Sequence, residues 1–267
     1  MSNVQTPPTL DRYHFTHKTL LNPTDAISVY VIGAGGTGSQ VVTGLARINE
    51  ALTQLGHPGL QVTLWDDDVV TEANLGRQLF APAEIGLHKS VALINRINRF
   101  FGLTYQARTC RYDGTTDRKE RAANIIITCV DTVASRIEIG EYLSKIKDEH
   151  WRNQPRYWLD FGNGQHTGQV LLATVGKHKQ PLSAKFLPVA QMPLPTEEFA
   201  DHYARPETDE GPSCSLAEAL NKQDLFINST LANYGCALLW RMFREGMIAH
   251  RGLYLNLSDF RSQPIAV

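Results

Sequence analysis

The chain has 267 residues, 42% of them hydrophobic and 20% charged, with a formal net charge of -1. That is ordinary for a globular protein with a real core, and it excludes a global basic field that would recruit nucleic acid or an anionic membrane. No apolar run approaches the roughly 20 residues of a membrane span, the opening MSNVQTPPTLDRYHF lacks a secretory h-region, and Cys110, Cys129, Cys214 and Cys236 form no C-x-x-C pair, so the expectation is a cytoplasmic chain without zinc.

In chain order, ISVYVIG (residues 27–33) is a β-branched apolar run ending in glycine and reads as a buried strand. A helix follows over about residues 37–55, with Val41, Leu45, Ile48 and Leu52 at three- and four-residue steps. LQVTLWDDD is a second strand with acids at its end, and HKSVALINRINRFFG predicts a helix closed by Gly102. TYQARTC is a third strand and NIIITCVD (residues 124–131) a fourth, followed by a helix over roughly residues 133–147. RYWLDFGNG and GQVLLATVG are two more strands, joined by a glycine-rich turn that allows an antiparallel pair. Residues 177–212 lose the pattern in prolines, acids and polar residues. LFINSTLANYGCALLWRMFREG then returns as an apolar helix, and GLYLNL is a last short strand.

Strands alternating with helices imply an α/β fold. The expectation is a Rossmann-like, mostly parallel sheet with helices on both faces and antiparallel strands toward the C-terminal part. A single domain spans residues 1–267: a core over about 25–176, an irregular lid-like segment over 177–214, and a helix-and-strand cap over 215–267. Ligands of such sheets bind at the carboxyl ends of strands. Here those ends carry the glycine turn 33–38, the acids 66–68 and Asp131.

The turn VIGAGGTGSQ places Gly33, Gly35, Gly36 and Gly38 before a helix whose free N–H groups favour phosphate. It fits the dinucleotide pattern of a dehydrogenase and equally an ATP enzyme. Asp66 is the candidate ribose ligand, although it lies about 28 residues beyond Gly38 rather than the roughly 20 of dehydrogenases, and Asp68 is kept beside it. Asn74, Arg77 and Gln78 follow the acids. An arginine fork matches phosphate oxygens, and hydride transfer has no need of one there. Lys89 opens the next helix, where a cation opposes the helix dipole unless an anion is present. Asp131 suits a Mg2+ held on substrate phosphates, or an N-cap for the helix after it.

The ordered set Gly33-x-Gly35-Gly36-x-Gly38-Ser39, DDD…NLGRQ, Lys89, CVDTVASR and GNGQHTGQV resembles the E1-like activating enzymes, which include the ThiF, MoeB and HesA proteins. The ending PSCSLAEALNKQDLFINSTLAN is most similar to the ThiF-family members of the PRTRC gene cassettes of bacterial plasmids. The resemblance implies ATP and Mg2+ rather than NAD. It implies that a carboxylate, the C-terminus of a small ubiquitin-like protein or peptide, attacks the α-phosphate to give an acyl-adenylate and pyrophosphate, and that the enzyme is a homodimer. Under it Asp66 holds the ribose, Asn74, Arg77, Gln78 and Lys89 contact phosphates, and Asp131 serves Mg2+. Gly35, Gly36 and Gly38 then keep side chains clear of the phosphates.

The chain departs from that pattern in three places. The paired zinc motifs are absent, C-T-D-N becomes Cys129-Val130-Asp131-Thr132, and R-Y-x-R becomes Arg12-Tyr13-His14-Phe15. The last change removes the arginine that relatives send to a partner subunit. These losses leave open a catalytically reduced nucleotide-binding adaptor, beside the less favoured NAD-dependent oxidoreductase. Cys214 matches the place of a transfer cysteine that takes the acyl group, while Asp209 and Glu210 would raise its thiol pKa.

Overall fold

The computed structural model describes residues 10–112, 122–146, 153–203 and 223–267. Among them, β1 (Arg12–Phe15) and a single helical turn, α1 (Lys18–Leu21), lead into the first long unit: β2 (Ile27–Ile32), α2 (Gly36–Gln54) and β3 (Leu60–Trp65). Next come α3 (Lys89–Phe101), β4 (Gln106–Arg108), β5 (Ile125–Thr128), α4 (Val133–Ser144), β6 (Tyr157–Asn163) and β7 (Thr167–Thr174). The chain closes with β8 (Leu187–Pro188), two short turns α5 (Pro195–Glu198) and α6 (Ala200–Tyr203), α7 (Ile227–Glu245), β9 (Met247–Ile248), β10 (His250–Asn256) and β11 (Arg261–Ala266).

The main sheet has the order β11-β10-β7-β6-β5-β2-β3-β4. Strands β2 to β6 pair in parallel, and β7, β10 and β11 pair antiparallel. The fold is therefore the Rossmann-like α/β sheet that the alternating pattern implies. Strand β5, IIIT, is buried on both faces, which is why it reads as an unbroken apolar run. Ile125 and Ile127 join α2, α3 and α7 in one core, while Ile126, Trp158, Ile139 and Leu143 form the second core under α4. Truncating Ile127, fully buried between two strands, to alanine would cost about 2–5 kcal/mol. Helix α3 ends at Gly102 in the left-handed region, φ 67°, as its sequence signal required. No described helix is long and apolar enough to cross a membrane.

Two expectations change. The run TYQARTC pairs only over Gln106–Arg108. The last strand is a hairpin, because RSQPIA also pairs, as a mostly exposed edge strand carrying Pro264. The described part of the lid-like segment, residues 177–203, is mostly exposed over 181–187 and anchored further on. Val189, Met192 and Leu194 are buried, and β8 joins β1 and β9 in a small separate sheet. The segment is tied to the end of β7, which lies beside the start of β6: the Thr174 N–H donates to Met192 O at 3.2 Å. That places it at the end of the sheet away from the glycine turn.

Candidate active site

The sheet order puts β3 on one side of β2 and β5 on the other, so the connections leaving β2 and β5 diverge and open a crevice at their carboxyl ends. A cavity of about 530 Å3 lies there. Of the sequence candidates, Gly33, Gly35, Gly36, Asp66, Asp68, Arg77, Gln78, Lys89 and Asp131 line it, and Gly38 and Asn74 do not. None of residues 177–203 lines it. Cys214, like Asp209 and Glu210, lies outside the described residues.

The glycines divide by role. Gly33 sits at φ 97°, and a Cβ there would stand 2.6 Å from Cys129 O. A Cβ on Gly38 would meet Gly33 O at 1.8 Å, and one on Gly36 would meet Asn228 Nδ2 at 2.5 Å. Only Gly35 faces open space, with nothing within 4 Å. Packing of the strand-to-helix turn therefore requires three of the four, and Gly35 alone keeps the cavity clear. Helix α2 starts from Gly35 with no side-chain cap, so its first N–H groups lack the acceptor a serine or aspartate would supply. Nineteen residues of helix stand behind that positive end.

Asp66 follows β3 directly and accepts from the Ala34 N–H at 2.6 Å and the Asp68 N–H at 3.0 Å. It ties the acid strand to the glycine turn. Burial raises its pKa above the usual carboxylate range, against the pull of the Ala34 N–H. Lys89 is 7% exposed, and its ammonium pairs with Asp68 at 2.8 Å. The backbone N–H of Lys89 also donates to Asp68 O at 2.9 Å. Lys89 thus meets an internal carboxylate that is itself largely exposed.

Arg77 is held differently. Its Nη1 donates to Gln223 Oε1 at 2.5 Å, and its Nε is buried with no partner among the described residues. Burial lowers its pKa, the cost of a guanidinium answered by a neutral amide. Gln78 is buried with its Oε1 also unpartnered. Asn74 turns away. Its Oδ1 accepts from the Thr71 N–H and hydroxyl, closing a capping box around a short 3-10 turn.

Asp131 stands exposed on the far lip of the cavity, just before α4. Thr132 is the N-cap of α4, so capping does not require Asp131. The loop that carries it is clamped from below. Arg136 donates to Val130 O at 2.6 Å, Phe161 O at 2.7 Å and Asp160 Oδ1 at 3.2 Å. Asp160 is fully buried and also accepts from Thr128, whose hydroxyl in turn accepts from the Trp158 indole at 2.8 Å. Sequence reasoning passed over both ends of this pair. The signal was the acid inside the apolar run YWLDF, since a carboxylate in a buried strand needs a partner. Asn228 was also missed. It opens α7, accepts from the Thr37 hydroxyl at 2.8 Å and packs on Gly36.

Among the described residues no group of three His, Cys, Asp or Glu could hold a metal by itself. Asp131 has the chemistry of a Mg2+ ligand only where substrate phosphates complete the shell. Cys129 and Cys236 are partly buried thiols, the first pushed well up by desolvation and the Asp160 charge, the second to about 12 by desolvation. Neither has the lowered pKa of an activated nucleophile. Cys110 is exposed.

Comparison with solved structures returns PaaA, 16% identical with a TM-score of 0.57 over 93% of this chain and 65% of that one. It returns MccB from E. coli at 14% and 0.60, over 92% and 64%, and the same protein with ATP at 13% and 0.59, over 92% and 65%. Another such MccB structure holds AMPCPP and MccA. This chain spans less than two thirds of their length, and at such identities the likeness carries the fold alone. A search of curated proteins gives no match. The ThiF family profile matches residues 14–241, and on that match the chain belongs to the ThiF family.

Proposed function

We propose that this chain is an E1-like adenylating enzyme that binds MgATP in the crevice and activates a carboxylate. One observation carries the reading: a half-buried guanidinium, Arg77, with its Nε fully covered, beside the uncapped start of a long helix, with a neutral amide as its acceptor. Such a pair is built for an anion. The MccB structures with ATP, and with AMPCPP and MccA, support a nucleotide and a small peptide as the two substrates.

In this reading Gly35 and the first N–H groups of α2 seat the phosphates, and Arg77 and Lys89 offset their charge. Asp66 stands on the ribose side. Bound Mg2+, held by Asp131 and phosphate oxygens, would neutralise charge on the leaving group. The substrate carboxylate is already a nucleophile and needs no general base. One of its oxygens bonds to the α-phosphorus, the bond to the bridging oxygen breaks, and pyrophosphate leaves with the electron pair. The protein contributes alignment and preorganised charge. A second cavity of about 720 Å3, lined by the turn after β6 and by β10 and β11, shares Val130, Asp131, Asn163 and Gln223 with the first. It gives a peptide C-terminus a route to the α-phosphate.

The finer reading is a homodimer in the cytoplasm acting on a small ubiquitin-like protein of a PRTRC cassette, with Cys214 taking the acyl group as a thioester. ATP–pyrophosphate exchange with candidate C-terminal peptides tests the chemistry. Exchange should fall about 100-fold in Arg77→Ala, the loss typical of removing one charge-stabilising donor. Cys214→Ala should lose any reducible conjugate and keep exchange. Loss of exchange in that variant would remove the transfer role.

A further inference from the structure

Gln223 Oε1 accepts two hydrogen bonds at the wall of the cavity, from Arg77 Nη1 at 2.5 Å and from Asn228 Nδ2 at 2.8 Å. A cationic donor and an amide donor thus converge on one neutral oxygen. The arrangement is set by three separate elements. Arg77 comes from the loop after β3 and Asn228 from the first turn of α7. Gln223 is steadied by its neighbour Asp224, whose N–H donates to Gln165 O at 2.8 Å.

Asn228 has no freedom to point elsewhere. It is 3% exposed, and its Oδ1 accepts from the Thr37 hydroxyl, which fixes Nδ2 as the atom turned to Gln223. Its seat exists because residue 36 is glycine: a Cβ there would lie 2.5 Å from Nδ2. Arg77, Gln223, Asn228 and Gly36 all line the cavity. An amide oxygen is a weak acceptor for a half-buried guanidinium. A phosphate oxygen carries formal charge, and charge-assisted hydrogen bonds are roughly twice as strong.

We propose that Arg77 Nη1 and Asn228 Nδ2 together bind one phosphate oxygen of the nucleotide, at the position that Gln223 Oε1 fills. Gln223 is then an internal competitor that sets nucleotide affinity, and Asn228 is a nucleotide-binding residue. The inference rests on the reading that the cavity takes ATP. It adds a residue from α7 to the phosphate site and a reason for Gly36 that phosphate clearance does not give.

Calorimetric titration of the full chain with MgATP tests it. Removing the competitor in Gln223→Ala should tighten binding about 3- to 10-fold. Gln223→Glu, of the same shape, places a carboxylate on Arg77 and should weaken binding at least tenfold. Asn228→Asp keeps the acceptor for Thr37 but exchanges the donor for a charged acceptor, and should also weaken it at least tenfold. Melting temperatures of all three confirm that the folded chain is compared. If Gln223→Ala binds no more tightly than the unmodified chain, or if Asn228→Asp binds as well, the proposal is overturned while the nucleotide reading stands. If the unmodified chain binds no MgATP, the nucleotide reading fails and takes this proposal with it.

Discussion

Replacing Arg136 with methionine removes the clamp under the Asp131 loop, and the structure sets the size of the effect. Asp160 is fully buried, and its Oδ2 already has no partner among the described residues. Without Arg136 the carboxylate keeps only the Thr128 hydroxyl, and Val130 O and Phe161 O lose short bonds to the guanidinium. Breaking a buried pair by removing one partner costs about 3–5 kcal/mol. For a chain of this size each kcal/mol moves the melting temperature by about 2–4 °C, so Arg136→Met should melt about 10 °C lower. Urea unfolding followed by tryptophan fluorescence measures the loss, because the Trp158 indole donates into the same network. Adding Asp160→Asn should recover about 2 kcal/mol by removing the stranded charge. A loss below about 1 kcal/mol, or a double variant as unstable as the sum of the singles, would show that Arg136 and Asp160 do not act as a pair.

Three further outcomes follow from the same geometry. Gly35→Val should fold normally and bind MgATP at least tenfold more weakly, whereas Gly38→Ala, with its Cβ 1.8 Å from a backbone oxygen, should lose about 3 kcal/mol or more; equal melting of the two would contradict the division of the glycines. Iodoacetamide at pH 8 should modify the exposed Cys110 well before the partly buried Cys129 and Cys236, read by peptide mass spectrometry. His178 is buried with neither ring nitrogen partnered among the described residues, and burial, with His14, His17 and Arg156 nearby, drops its pKa to about 3. A folded pKa below the unfolded value makes the unfolded chain bind more protons. Stability should therefore fall as pH drops below about 6.5, with about 2 kcal/mol of the loss at pH 5 due to this group. His178→Phe should flatten that part of the urea-midpoint profile, and an unchanged profile would exclude the assignment.

Much of the core was legible because its signals are local. The β-branched runs of β2 and β5, the periodic face of α2 and the glycine closing α3 each fix an element from a few adjacent residues. Strand β11 was hidden because an exposed edge strand carries no apolar alternation, and β1, β8 and β9 because two to four residues show no period. In the site, the sequence order brought the cations and acids to one end of the sheet, but not who holds whom. Lys89 meets Asp68, Arg77 meets Gln223, and Gly36 makes room for Asn228, 192 positions away. The last two pairings depend on how α7 and the residues before it fold back over α2, and no adjacent residue announces them. Gly36 shows the consequence most clearly, since one chain segment cannot reveal that another needs its missing Cβ.

The central claim is that the crevice is an ATP site built around Arg77. Titrating the full chain with MgATP, and separately with NAD+, tests it most directly. The account predicts saturable MgATP binding that Arg77→Ala weakens at least tenfold, and no binding of NAD+. Absence of MgATP binding, or tighter binding of NAD+, would contradict it.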